Sequence, residues 1–537
     1  MTPPDLETVF SYHERTKHRL DRYARSPGFM DWDNQPDPFR RYHGAPLQKL
    51  GLPAESPLPT YDSLYAALPP AEPVTMDALS RLFYYSLALS AWKQVRRPGG
   101  AVRSRWALRV NPSSGNLHPT EAYLICGPAG GLRRQPAVWH YAPGEHALEL
   151  RRELETLAGV PADTVLIGLT SIHWREAWKY GERAWRYCQH DCGHAIGAVT
   201  LAAACLGWRA RLLDGVSSAQ AARILGVDSQ SGPEAEHADC LIALSPAGEP
   251  GGVDGDALAA APGSSWLGAP NRLSPSHRPW PAIEEVAAAA WSRTLPAPPP
   301  RLMARPGPWP DRGLSAHRII RQRRSAVAMD GRTSMDSAAF YRILGRAMPQ
   351  QMPYAVLPWE PAVSLALFVH RVEGMAPGLY ALVRDPAHEE SLRRSLRSEF
   401  LWEKPAACPA DLLFYLLVPA PVTAAARTVS CHQEIASDGV FALGILAEFD
   451  ARLRTGGPAI YPRLFWESGV LGQVLYLEAE AAGIRATGIG CFFDDLMHEM
   501  LGIADRSWQS LYHFTAGGAA ADERLETIDA YAPQAEL

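Results

Sequence analysis

No single sign of charge dominates this chain: 52 lysines and arginines stand against 57 acidic side chains, a formal net charge of −5. A protein that holds nucleic acid or an anionic membrane electrostatically needs a basic excess or a basic face. The clusters at Arg22–Arg25, Arg40–Arg41 and Arg321–Arg324 are short and read as solvated faces, so neither partner is expected. Long apolar runs are missing too. The most apolar stretch, Leu412–Ala426, is broken by two prolines and is too short to span a bilayer; it reads as a buried strand leaving a sheet. The first twenty residues carry acids near the start and no apolar core of signal-peptide length. Cysteine is sparse, eight in all, and only Cys188 and Cys192 lie close together in the sequence. That usage suits a reducing compartment, and the expected location is the cytoplasm.

What is present is enough apolar material to fold, 47% of 537 residues, in a chain too long for one ordinary core. Proline crowds the segment from about Gly248 to Arg312, where it removes backbone donors and fixes φ. One helical piece, Ala282–Arg293, interrupts it. The segment is either an ordered connector wrapped across a surface or a mobile strap. The expected division is an N-terminal extension at 1–75, a first half at 76–250, the connector at 251–315 and a second half at 316–537.

The halves echo one another. A shift of 276 positions lays Gly193 on Gly469, Leu201 on Leu477, Gly207 on Gly483 and Leu225–Gly226 on Leu501–Gly502 without a gap. Each segment reads as an apolar helix stopped by glycine, a short extended run, then a second helix ending in Leu-Gly. Matching glycines in one register point to internal duplication. Strands are expected in "TEAYLICG", "AVWHYA", "VSLALFVHRV" and "DLLFYLLV", with helices between them. The fold class is therefore α+β, two related halves with helices covering a mostly antiparallel sheet.

The stretch "RVNPSSGNLHPTEAYLI" at 109–125 packs small polar donors against proline and glycine just before the chain enters the core. By itself it is a turn before a strand. Together with "WREAWKYGERAWRYCQHDCGHAIGAVTLAAACLGW", "RRSA" and "GIGCFFDDLMHEMLGI", it resembles the FMN-dependent nitroreductase superfamily. Within it the chain is most similar to the SagB-type dehydrogenases, the McbC-like thiazoline/oxazoline oxidases of peptide maturation. The N-terminal "YHERTKH" is similar to the opening of SagB-type chains.

Members of that superfamily are usually homodimers with FMN at the subunit interface, so the resemblance implies an intramolecular pseudo-dimer fused into one polypeptide. It places the cofactor phosphate at Arg323, Arg324 and Ser325, where a guanidinium makes bidentate charge-assisted contacts. The third member of that cluster is Val327 here, and Arg524 near the C-terminus is expected to supply the missing cation. Gly488, Gly490 and Cys491 are expected beside the reactive flavin nitrogen, with glycine admitting close backbone approach. Pro112, Ser113, Ser114 and Asn116 are expected to hold the isoalloxazine edge. Each half lacks what the other keeps, which implies one complete composite FMN site per chain.

Lys179 and Tyr180 resemble the Lys-Tyr pair that takes the proton in azoline oxidation. Read without the resemblance, they are an exposed cation beside an aromatic strap near a helix start. Thr455 and Gly456 stand at the same offset in the second half. Cys188, His190, Cys192 and His194 offer two i,i+4 pairs, but these are rotated by roughly 200° and cannot close on one metal in a regular helix. No metal is expected, Cys192 is read as packing, and His190 or His194 is left to face flavin or substrate. Three functions stay open: azoline oxidation of a peptide or small-molecule substrate with O2 as acceptor, NAD(P)H-dependent nitro or quinone reduction, and a non-catalytic scaffold. The expected partner is a cyclodehydratase or synthetase.

Overall fold

Two long helices form the axis of the molecule. The first, Ala184–Cys205, is buried at every residue, its polar side chains Arg186, Gln189, His190, Asp191 and His194 included. The second, Ile460–Ala481, has the same 22-residue length and starts 276 positions later. The same shift relates the strands Arg209–Leu212 and Arg485–Ile489 at their first residues. It also relates the helices Ser218–Leu225 and Asp494–Leu501 at both ends. Gly207 and Gly483, with φ of +73° and +76°, turn the chain after each long helix, where a side chain would be strained. A helix buried on all sides needs partners all round. Here each long helix packs on the other and on the sheet of its own half.

The structure, a computed structural model, describes residues 4–96, 102–129, 131–291, 309–349 and 352–531. The first half builds a seven-stranded sheet around Thr120–Cys126, Ala137–Ala142, Val165–Ser171 and His237–Ser245. The second builds a six-stranded sheet around Val363–Val369, Phe441–Glu448 and Trp508–Gly517. The pairings within both sheets are antiparallel. The fold is α+β, as the sequence patterns imply. One expectation is corrected: Leu413–Pro419 is an edge strand, only half-buried, because a sheet edge leaves one side unpacked.

Three segments tie the halves together. The strand Leu525–Ile528 leaves the second half and joins the first-half hairpin Leu89–Arg96/Val102–Arg109. The N-terminal helix Pro4–Arg15 reaches both sides: Tyr12 donates to the Glu182 carbonyl, while His13 bonds Tyr461 and Gln509. The connector is described at 251–291 and again at 309–315. Its helix Pro281–Ala289 packs on the N-terminal helix, and Ala269–Pro270 pairs with Tyr42–His43. The helix stops short of the expected end: Ala290 caps it and Trp291 is not helical, while Ser292 and Arg293 lie outside the described residues.

Candidate functional site

A cavity of about 730 Å³ opens where the two halves meet, and residues of both line it. From the first half come Pro112, Ser113, Ser114, Gly115 and Asn116, with Tyr180, Tyr187, Asp191 and His194 behind them. From the second come Arg323, Arg324, Ser325, Val327, Arg485, Gly488, Gly490 and Cys491. Trp106 and Leu108 of the first-half hairpin add apolar wall. Of the cofactor residues expected from sequence, only Arg524 is absent from this wall.

The Ser-Ser-Gly-Asn loop is held from both sides. The Ser114 amide donates to both oxygens of Asp191 at 3.1 Å, and the Ser114 hydroxyl adds a third bond. The His118 amide donates to Ser113 Oγ at 2.7 Å, and Asn116 Nδ2 donates to the Ala107 carbonyl at 2.8 Å. Gly115 and Asn116 both lie in the left-handed region, φ +59° and +60°. At Gly115 a Cβ would also sit 2.7 Å from the Tyr180 hydroxyl and 3.2 Å from Lys179 Nζ. The loop and the expected proton-handling pair are thus neighbours, although Tyr180 lines the cavity and Lys179 stands beside it.

The opposite end is cationic. Arg323 is buried and donates to the carbonyls of Arg109 and Val110. Arg324 donates to the carbonyls of Arg321, Arg323 and Ser90. Burial, reinforced by the charges of Arg323, Arg321 and Arg485, pushes Arg324 down to about 9. Lys93 is lowered by burial and then by Arg324 and Arg485. Arg485 is ion-paired to Glu480 and donates to the Gln322 carbonyl, whereas Arg323, Arg324 and Lys93 crowd together, buried to half-buried, without a carboxylate; an anion would complete them, so this wall suits a phosphate. Arg524 contributes nothing to it: its side chain is 82% exposed and is bonded to Asp522 two residues away. Arg485 and Lys93, on strands, occupy the place for which Arg524 was expected. Val327 is 80% exposed at the rim.

The glycines have a steric reason of their own. A Cβ on Gly488 would run into the Tyr512 hydroxyl, and one on Gly490 into the Tyr187 ring. The Gly488 amide already donates to Tyr476 at 2.9 Å, and Tyr476 also bonds Ser325 Oγ. The Gly490 carbonyl accepts from Tyr187 and Arg183. Both glycines line the cavity with phenolic rings packed against them.

Sequence reasoning passed over two carboxylates. Glu176 and Asp191 are fully buried beside Tyr180, and neither Glu176 oxygen has a hydrogen-bond partner among the described residues. Burial pushes Asp191 up to about 7 against the bonds from Ser113 and Ser114; burial and then Asp191 raise Glu176 well above the usual range. Two carboxyls in one apolar wall hold at least one proton near neutrality. Burial also holds the Tyr180 hydroxyl well above its ordinary value. An acid inside an otherwise buried helix was the available signal. Of the histidines, His194 lines the cavity, bonded to Gln473 and Tyr512, and burial pushes it down to about 3. His190 stacks on the Tyr512 ring at 4.2 Å instead. Cys192 is buried among core side chains.

The pseudo-symmetric position is filled. Shifted by 276, Asp191 becomes Glu467, which is ion-paired to Arg384 at 2.7 Å and accepts from the Ala362 amide. The Arg384 guanidinium lies 5.0 Å from the Tyr354 ring centre. Where the first half places Asp191 in the cavity wall, bonded to the Ser114 loop, the second places a neutralised, packed pair.

Residues 72–244 match the Nitroreductase family. No curated protein matches the chain. Among solved structures, one described as a candidate nitroreductase from Anabaena variabilis is 20% identical, covering 96% of this chain and 99% of its own with a TM-score of 0.67. One described as a candidate nitroreductase from Ralstonia eutropha is 16% identical, covering 41% and 95% with a TM-score of 0.27. The E. coli microcin synthetase McbBCD complex with truncated pro-MccB17 bound gives 16% identity, 46% and 94% coverage and a TM-score of 0.26. Among the described residues, no helix is long and apolar enough to cross a membrane.

Proposed function

We propose, from a nitroreductase-like fold whose residues 72–244 form a nitroreductase-family domain, that this chain is an FMN-dependent dehydrogenase. Its proposed reaction is oxidation of thiazoline or oxazoline rings in a peptide or peptidyl intermediate to azoles, with O2 as acceptor. The carrying observation is that the arginines of the second half and the Ser-Ser-Gly-Asn loop of the first line one cavity.

Bound FMN would supply the two-electron chemistry. Arg324 and Arg485 would hold its phosphate, with Arg323 fixing the wall through the carbonyls of Arg109 and Val110. Ser113, Ser114 and Asn116 would position the ring edge, their loop kept in place by Asp191. Tyr180 keeps its proton at neutral pH and so donates and orients at the wall. Lys179 is assigned the proton that leaves the substrate ring, a role worth about 10²–10⁴-fold in rate. The proposed partner is a cyclodehydratase or synthetase.

The test is the visible spectrum of the purified, FMN-reconstituted protein with flavin counted per chain, followed by azoline-peptide oxidation. One flavin per chain and turnover that is lost in Lys179→Ala support the reading. NADPH-driven reduction of nitroaromatics unaffected by that change points to a reductase. No flavin after reconstitution leaves a scaffold.

A further inference from the structure

We propose that Cys431 and Cys491 form a reactive dithiol that low-molecular-weight disulfides oxidise reversibly to an intramolecular disulfide. The proposal stands apart from the flavin reading. The two sulfurs are 60 positions apart in the chain and 2.8 Å apart in space. Both residues sit in loops, Cys431 between the helices Thr423–Val429 and Ile435–Asp438 and Cys491 between the strand Arg485–Ile489 and the helix Asp494–Leu501. Sulfurs on loops have the freedom to close the remaining distance to a covalent bond of about 2.05 Å. Both are also part-exposed, whereas Cys126, Cys188, Cys192, Cys205 and Cys240 are buried.

The surroundings make one sulfur the nucleophile and the other the resolving thiol. The hydrogen bond with Cys431, then His18 and Arg183, holds Cys491 down at about 5 against the effect of burial. Cys431 is shifted upward by the same bond, so it keeps its proton. His18 Nδ1 accepts from the Ala24 amide at 2.9 Å, which puts the neutral ring's proton on Nε2. A thiolate beside a cation and a hydrogen-bond donor is the reactive form of cysteine.

The exchange balances. The Cys491 thiolate attacks one sulfur of a disulfide RSSR, the S–S bond breaks, and RS⁻ leaves. The Cys431 sulfur then attacks Cys491 Sγ, its proton passes to the departing thiolate, and RSH leaves. Two protein sulfurs are oxidised and one small disulfide is reduced to two thiols. Because Cys491 lines the cavity, the oxidation state of the pair changes that wall.

The full-length protein is incubated with glutathione disulfide, acid-quenched, alkylated in denaturant and peptide-mapped by mass spectrometry. The expected result is a Cys431–Cys491 cross-linked peptide that disappears on treatment with dithiothreitol. Cys431→Ser is expected to stop at a mixed disulfide on Cys491. Cys491→Ser should slow reaction at this site at least tenfold, while Cys408→Ser leaves the cross-link in place. His18→Gln should slow the wild-type reaction at pH 6 and converge with it at pH 9. Alkylation of all eight cysteines after the same exposure overturns the proposal. So does a wild-type mixed disulfide that never resolves, or a cross-link that forms no faster than in unfolded protein.

Discussion

Gly193 and Gly469 meet at the crossing of the two long helices: a Cβ on Gly193 would lie 2.8 Å from the Gly469 Cα and 2.5 Å from the Trp466 carbonyl oxygen. The reciprocal Cβ on Gly469 would lie 2.7 Å from the Gly193 Cα. These residues are each other's counterparts under the 276-position shift, so the pseudo-two-fold relation between the halves passes between them. A backbone contact this close has no room for a methyl group.

Gly469→Ala is therefore expected to push the helices apart and cost about 1–3 kcal/mol, the usual range for overpacking a core. Equilibrium denaturation in urea reads it directly. A variant as stable as the wild type would mean that the crossing relaxes freely and does not set the spacing of the halves.

The cationic wall predicts a phosphate-specific effect. Arg324→Ala or Arg485→Ala removes a charge-assisted contact worth about 1.5–3 kcal/mol, roughly a 10–100-fold loss in FMN affinity. Riboflavin, which lacks the phosphate, should bind both variants as it binds the wild type. Arg524→Ala should change neither affinity, since its exposed side chain is held by Asp522. Fluorescence titration of the two flavins separates these outcomes.

How much of this was legible follows from where each signal sits. The glycine stops at Gly207 and Gly483, and the short apolar strand runs such as Thr120–Cys126 and Val363–Val369, are local features that mark the elements. The loop from Pro112 to Asn116 and the run from Arg323 to Ser325 were legible because each is contiguous. Arg485 and Lys93 were not, since a single cation on a strand carries no mark of the wall it faces. Asp191 was passed over because "CQHDCGH" drew the reading to its histidines and cysteines. The meeting of Cys431 with Cys491 depends on how two distant loops pack, which no spacing rule encodes.

The pair Glu176 and Asp191 predicts a pH dependence. Asp191 is pushed up to about 7 in the folded chain. Between the ordinary carboxylate range and about 7 the folded state holds a proton that the unfolded state has released. Stability therefore falls as pH rises through that window. Asp191→Asn should flatten this slope, gaining on the wild type at pH 8 relative to pH 5 in thermal melts. Parallel melting curves across that range would show that Asp191 is ionised in the folded protein.

Lys179→Ala tests the proton step separately from cofactor binding. The variant should bind FMN as the wild type does and keep reduction of an artificial dye, yet lose azoline oxidation by about 10²–10⁴-fold. Equal loss of both activities would place Lys179 in positioning the cofactor instead. Tyr180→Phe should fall between the two, because it removes a donor that stays protonated but leaves the ring against Tyr187 at 4.4 Å.

The filled counterpart fixes the expected stoichiometry. Glu467 and Arg384 are both buried, and their charges cancel in the place where Asp191 faces the cavity. Arg384→Ala strands a buried carboxylate, which costs about 3–5 kcal/mol when a buried pair is broken on one side. Truncating both, with Glu467→Ala added, should recover part of that loss because no unpaired charge remains. Neither variant should alter the count of one flavin per chain, since the counterpart also lacks the Arg323–Arg324 pair, whose places are taken by Leu47 and Gln48, and the Ser-Ser-Gly-Asn loop. A second equivalent of flavin in the double variant would mean that the Arg384–Glu467 pair, and not those missing groups, is what closes the other half.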